Sequence, residues 1–143
     1  MTDFDPKAFE NAIIDDMRAN GGAVTSGPLA GHPILILTSK GARTDEPRRA
    51  LLTFSRDGDD FVVAGSAGGS PTDPGWVRNV QVNPEVSLEA EDRSFTATAT
   101  VVDGNERDRL WEQHVEALPH FADYPKKAGR VIPIVRITPK IAA

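Results

Sequence analysis

"RRALLTFSRDGDDFVVAGS", residues 48–66, sets two apolar runs on either side of a short polar turn. "RRALLTFSR" has the branched and aromatic residues of a strand, "DGDD" turns the chain, and "FVVAGS" runs back. Asp-Gly between two such runs is a strong hairpin signal, because glycine supplies the positive φ that a tight turn between twisted strands requires. The stretch therefore predicts antiparallel pairing, and the flanking segments extend it. Upstream, "HPILILTS" (32–39) reads as a short buried strand, joined to the hairpin by the polar turn "KGARTDEP" (40–47). Downstream, "EVSLEA" (85–90) and "RSFTATATVV" (93–102) form a second hairpin around Glu91-Asp92. Phe95, Ala97, Ala99 and Val101 alternate with Thr96, Thr98 and Thr100, the period of a strand with one buried face. "VIPIVRI" (131–137) is a last strand, with Pro133 suggesting an edge or a bulge.

Helical signals stand between and around these strands. "DPKAFENAIIDDMRANGG" predicts an amphipathic helix over about residues 5–20, with Phe9, Ala12, Ile13 and Met17 on one face and Gly21-Gly22 as its stop. Asp73 is placed as an N-cap with Pro74 at the first helical position, and that short helix runs to Asn83-Pro84. Trp76, Asn79, Val80 and Asn83 share one of its faces by the three- and four-residue rule. Asp103 with Glu106 resembles a capping box, opening a helix striped by Leu110, Trp111, Val115 and Leu118. "PHFADYPKKAGR" (119–130) reads as a second short helix or a loop. The sum is an α+β chain: about six strands in an antiparallel β-barrel, flanked by three to four helices.

At 143 residues with no cysteine, one domain over residues 1–143 is expected, without thiolate metal sites or cysteine nucleophiles. No signal segment and no run of about 18 apolar residues is present, which predicts a soluble, cytoplasmic protein without a transmembrane segment. A net charge of -5 argues against nucleic-acid partners, because phosphate neutralisation needs a basic face. The basic residues are clustered all the same: Lys40, Arg43, Arg48 and Arg49 fall close together, a local excess suited to one small anion.

Several chemistries fall away. "AGSAG" (64–68) approaches the serine-elbow pattern, but Ala64 replaces its first glycine and no helix begins directly after Ser66. Asp103 or Asp123 with His114 or His120 offers no fixed triad. His32, His114 and His120 lack metal-ligand spacing, and His114, near an apolar stripe, reads as a structural histidine. The glycine loop matches neither the dinucleotide nor the P-loop fingerprint. What remains is a pair of loops. "KGARTDEPRR" offers guanidinium forks and a threonine hydroxyl, while "GSAGGS" (65–70) offers unencumbered amides ahead of a helix N-terminus. On pattern alone two readings stand: a shared site for a ligand with an anionic tail and an acceptor-rich ring, or a solvated turn and a plain connection.

"KGARTDEPRRALL", "DGDDFVVAGSAGGSPTDPGWVRNVQVNPEV" and "LPHFADYPKKAGRVIPIVRI" resemble the deazaflavin-dependent nitroreductase family of actinobacteria. Its members show T-x-G-R-K-S-G-x-x-R, then S-K-G-G, a proline-tryptophan-x-x-N-L stretch and N-P-x-V. The likeness spans roughly residues 33 to 138, and the segment from the double glycine to Asn79 is its most specific part. The resemblance implies a split β-barrel, monomeric or homodimeric, that binds the deazaflavin coenzyme F420 and passes a hydride to a small hydrophobic acceptor such as a quinone, enone or nitro compound. It maps the coenzyme's phosphate and glutamate tail onto Arg43, Thr44, Pro47 and Arg48, with Arg49 as further charge. The ring maps onto Ser66, Ala67, Gly68 and Gly69, beside Trp76 and Asn79. Tyr124, with Phe121, matches the aromatic segment over the substrate, and Tyr124 or Ser66 would donate a hydrogen bond where negative charge develops. Two departures are plain: Gly41-Ala42-Arg43-Thr44-Asp45 stands where the family has G-R-K-S-G, and Ala67 stands where it has lysine. Flavin mononucleotide in the same barrel, or an apolar ligand carried without turnover, are the alternatives to F420 chemistry.

Overall fold

The computed structural model describes residues 6–27, 29–66 and 71–140. Six strands close into one antiparallel barrel: β1 (Ile34–Lys40), β2 (Pro47–Asp57), β3 (Asp60–Ala64), β4 (Glu85–Ala90), β5 (Arg93–Val102) and β6 (Ile134–Pro139). Around the barrel their order is β1-β2-β3-β6-β5-β4, and β4 pairs back onto β1. The antiparallel barrel expected from the two hairpin signals is the observed fold. The turn between β2 and β3 is Gly58-Asp59, with Gly58 at φ 61°, and in the register Asp57 faces Asp60. The second hairpin turns at Glu91 and Asp92, both at positive φ without glycine. Acidic residues tolerate that region when they turn a hairpin, so this turn is chemically weaker than the first.

Side chains alternate across each strand, so a closed barrel has an inside and an outside, and here both are apolar over long stretches. Inside lie Leu35, Leu37, Phe54, Phe61, Val63, Val86, Leu88, Ala97, Ala99, Val135 and Ile137. α2 (Gly75–Val82) packs into the same core through Trp76, Val77 and Val80, against β1 and β5. Outside, Ile34 and Ile36 of β1 are covered by α1 (Pro6–Ala19), whose buried residues are Ile13, Ile14 and Met17. Phe9 and Ala12, expected on that face, are exposed, and the buried contacts of the helix lie at Ile13, Ile14 and Met17. On the opposite side, Val62, Ala64, Val102 and Ile134 are covered by α3 (Gly104–Ala117), a 3-10 turn (Pro119–Asp123) and α4 (Tyr124–Ala128). Strands β1 and β3 are thus buried on both faces, which explains their unbroken apolar sequences.

Three local expectations change. Pro133 marks neither an edge nor a bulge: β6 begins one residue later and pairs with β3 on one side and β5 on the other. Asp73 is not the cap of α2. Pro74 is the N-cap residue, at φ -67° and ψ 151°, and the Asp73 carboxylate instead accepts a hydrogen bond from Arg130 Nη1 at 2.5 Å. Asp103 does stand at the N-cap of α3, but no side-chain capping bond forms, and Glu106 turns to Arg136 at 3.3 Å. A guanidinium competes well with a backbone amide for a carboxylate. Arg136 also donates to Asp60 at 2.6 Å and Asp57 at 2.8 Å, tying β6 to the first hairpin's turn. Hydrogen bonds from Arg109 and Arg136 hold the Asp57 carboxyl below its ordinary pKa.

Candidate active site

A cleft of about 340 Å³ opens between the first hairpin and the helical cover. Its floor is Leu51, Leu52 and Thr53 of β2 with Ala64 of β3, and its wall is Ser66 and Trp76. Its roof is His120, Phe121 and Tyr124, and Leu29 and His32 close the side. The roof is held by edge-to-face contacts: Phe121 lies 5.1 Å from the Tyr124 ring and 4.5 Å from the His114 ring. Ser66 and Trp76, expected beside the ring, and Tyr124 and Phe121, expected over the substrate, therefore line one cavity. Ser66 and Trp76 are buried, and Tyr124 is half-buried.

His114, beneath the roof, is fully buried. Its Nδ1 is 2.7 Å from Ser55 Oγ, while its buried Nε2 has no partner among the described residues. Burial, and after it the charge of nearby His120, pushes its pKa down to about 4. It is a neutral imidazole near pH 7, structural as the sequence suggested but satisfied on one side only.

Ala67, Gly68 and Gly69 lie outside the described residues. The flanks of their loop are held by Arg130, just past α4. Its Nη2 donates to the carbonyls of Gly65 at 3.0 Å, Ser66 at 3.3 Å and Thr72 at 3.0 Å, and its Nη1 reaches Asp73. One guanidinium thereby fixes both ends of the loop. Gly65 has a packing reason of its own: a Cβ there would stand 2.7 Å from Val77 Cγ2 and 3.1 Å from Pro133 Cγ. This glycine lets α2 and the approach to β6 close on the end of β3.

The basic turn is built differently. Gly41 N–H donates to Glu46 O at 2.8 Å, Asp45 sits at φ 57°, and Thr44 Oγ1 accepts from Glu46 N–H at 3.3 Å. Thr44 is thus used within the turn. Asn79 Oδ1 accepts the Ala42 N–H at 3.0 Å, so α2 carries Trp76 to the cleft and, one turn later, Asn79 to this loop. Arg43 is exposed and forms no ion pair among the described residues. Pro47 opens β2 opposite Lys40, also exposed. Arg48 and Arg49, as neighbours on a strand, project to opposite faces. Arg48 makes a 3.5 Å contact with Glu46. Arg49 donates to Glu10 at 2.7 Å and Asn11 at 2.9 Å on α1, so it ties down the N-terminal helix. Opposite Arg48 in the register, Ser39 is buried with its Oγ unpartnered among the described residues.

Sequence reasoning passed over His32 and His120 as cleft residues, and Arg130 altogether. Arg130 follows Gly129, a left-handed C-cap at φ 67°, and that helix stop was the one signal that its position is fixed.

Comparison with known proteins agrees with this architecture. The profile of the F420H(2)-dependent quinone reductase family matches residues 12–139. The F420H(2)-dependent quinone reductase Rv1261c of Mycobacterium tuberculosis is 36% identical over 124 residues, covering 85% of this chain and 83% of that protein. The solved structure of an F420-H2 dependent reductase, FDR-A, aligns with a TM-score of 0.67 at 34% identity, over 73% of this chain and 93% of that one. A second solved structure, described only as a domain-swapped dimer, aligns with a TM-score of 0.70 at 29% identity, over 93% of this chain and 99% of that one. With nearly its whole length matched, the chain belongs to the F420H(2)-dependent quinone reductase family.

Proposed function

We infer that the chain is an F420-dependent oxidoreductase that takes a hydride from the reduced coenzyme and reduces a quinone by two electrons. When bound, reduced F420 supplies the hydride. The chain's own part is to bind, orient and exclude water. The residues fit such a coenzyme on two grounds: the cleft sets aromatic and aliphatic side chains beside a few polar groups, suited to a flat ring and a flat acceptor, and the Ser39 Oγ beside Arg48, unpartnered among the described residues, offers polar capacity to an anion. In this reading Ser66 and Trp76 face the ring, Ala67, Gly68 and Gly69 contribute to binding it, Arg43 and Arg48 take the anionic tail, and Asn79 fixes the basic turn. Ser66 and Tyr124 donate hydrogen bonds where charge develops on the acceptor. Arg49, occupied by α1, supports the hairpin, and Thr44 and Pro47 shape it.

The observation that carries this reading is the bridging helix. Trp76 and Asn79 of α2 tie the cleft and the basic turn into one unit, so a ligand with a ring and a tail meets both at a fixed separation. The test is oxidation of reduced F420 in the presence of menadione, followed by recovery of the oxidised coenzyme's absorbance. Turnover well above the protein-free rate is expected, with no activity when reduced flavin mononucleotide replaces F420. Absence of turnover together with absence of F420 binding at tens of micromolar would overturn it.

A further inference from the structure

The cleft contains two histidines that the proposed reaction has not yet used. His120 stands exposed in the 3-10 turn, and His32 meets it edge to face from the loop before β1, ring centroids 5.5 Å apart. Phe121 lies 4.7 Å from the His120 ring and Tyr124 lies 6.1 Å away. The imidazole therefore lines the cleft and is exposed at its rim.

We propose that His120 is a catalytic acid, giving the proton that completes reduction of a quinone bound in the cleft. The inference rests on the quinone reductase reading. Hydride addition to a quinone leaves a hydroquinone monoanion with one unprotonated oxygen. Its new O–H bond forms as an N–H bond of the His120 imidazolium breaks, and the ring regains a proton from water at the rim. The net transfer is two electrons and two protons: the acceptor is reduced, the coenzyme is oxidised, and the coenzyme's own proton passes to water. Imidazole gives and regains a proton near neutral pH, whereas a phenol holds its proton into alkaline conditions. Tyr124 therefore suits hydrogen bonding and His120 suits transfer. The titratable groups around His120 are His32 from the loop, Tyr124 of α4, Asp123 of the same turn and the buried His114 of α3. No carboxylate forms an ion pair with His120 among the described residues.

The test uses the full chain without coenzyme, and 2-hydroxy-1,4-naphthoquinone as probe, an anion at neutral pH that mimics the hydroquinone monoanion. The wild-type protein should bind the probe about tenfold more tightly than His120→Asn or His120→Gln does. Turnover of the same variants with menadione should drop on the order of a hundredfold. A variant that binds the probe as tightly as the wild type, or that keeps wild-type turnover, overturns the proposal, as does a wild-type protein that fails to bind the probe. Failure of F420 to bind while the probe binds as described would instead count against the coenzyme assignment. His120 is exposed, so both variants are expected to fold, which thermal melting checks.

Discussion

The cleft and the basic turn are made by opposite means. The wall and inner roof of the cleft are fixed from within: Trp76 sits in the barrel core, Phe121 is clasped between Tyr124 and His114, and Arg130 hydrogen-bonds the backbone at Ser66. The basic turn is exposed from Arg43 to Arg49, held by its own backbone bonds and by one amide contact to Asn79. A rigid surface suits a ring whose reacting carbon must be aimed, while an open, charged turn suits a flexible anionic tail that needs attraction more than placement. Damage to the cleft should therefore cost stability and turnover together, and damage to the turn should cost affinity alone.

The largest effect is expected at Trp76. Trp76→Ala removes a buried aromatic from the junction of core and cleft and should destabilise the fold by ~3–5 kcal/mol, read from the urea midpoint. A variant of near wild-type stability would break the comparison by showing that the cleft wall is not part of the core.

Acid is the next probe. His114 binds fewer protons folded than unfolded between its lowered value of about 4 and its ordinary value of 6.5. Stability is therefore fully present above pH ~6.5, falls as the pH drops toward about 4, and levels off below that, a loss on the order of 3 kcal/mol. Urea melts across that range should show the fall in wild-type protein and a smaller one in His114→Gln. An equal fall in both would place the acid sensitivity elsewhere.

Arg130→Lys should cost ~1.5–3 kcal/mol, because an ammonium cannot serve Gly65, Ser66, Thr72 and Asp73 at once. Turnover should fall further than F420 affinity if the loop's role is to aim the ring, and equal losses would contradict that. The smallest and sharpest contrast lies in adjacent residues. Arg48→Ala is expected to weaken F420 binding about tenfold with little change in stability. Arg49→Ala should leave affinity unchanged and lower stability by ~0.2–1 kcal/mol through its exposed contacts with α1. Reversed outcomes in calorimetry would show that the two faces of β2 have been assigned the wrong way round.

How much of this was legible beforehand follows the same division. The strands were readable because alternation and turn chemistry are local: Asp57-Gly58 and the Thr96–Val101 pattern each specify their own pairing. The cleft was only partly readable. Ser66, Trp76 and Tyr124 sit in motif-bearing segments, but His32 and His120 meet across 88 residues of chain by virtue of barrel closure. Arg130 and the Asn79 contact to Ala42 were hidden for the same reason, as partners fixed by the closed fold and not by spacing. The misplaced cap at Asp73 is instructive: a good N-cap residue at a good position lost its role to a guanidinium that arrives from 57 residues away.

If ring and tail are held separately, F420 and its tail-less deazaflavin riboside should respond differently to the same substitutions. Titrated calorimetrically into wild-type, Trp76→Phe and Arg48→Ala proteins, the riboside should bind more weakly than F420 and be indifferent to Arg48→Ala. F420 should drop to nearly the riboside's affinity in that variant, and Trp76→Phe should weaken both ligands alike. Equal affinity of the two ligands for wild-type protein, or an Arg48→Ala loss shared by the riboside, would contradict that separation.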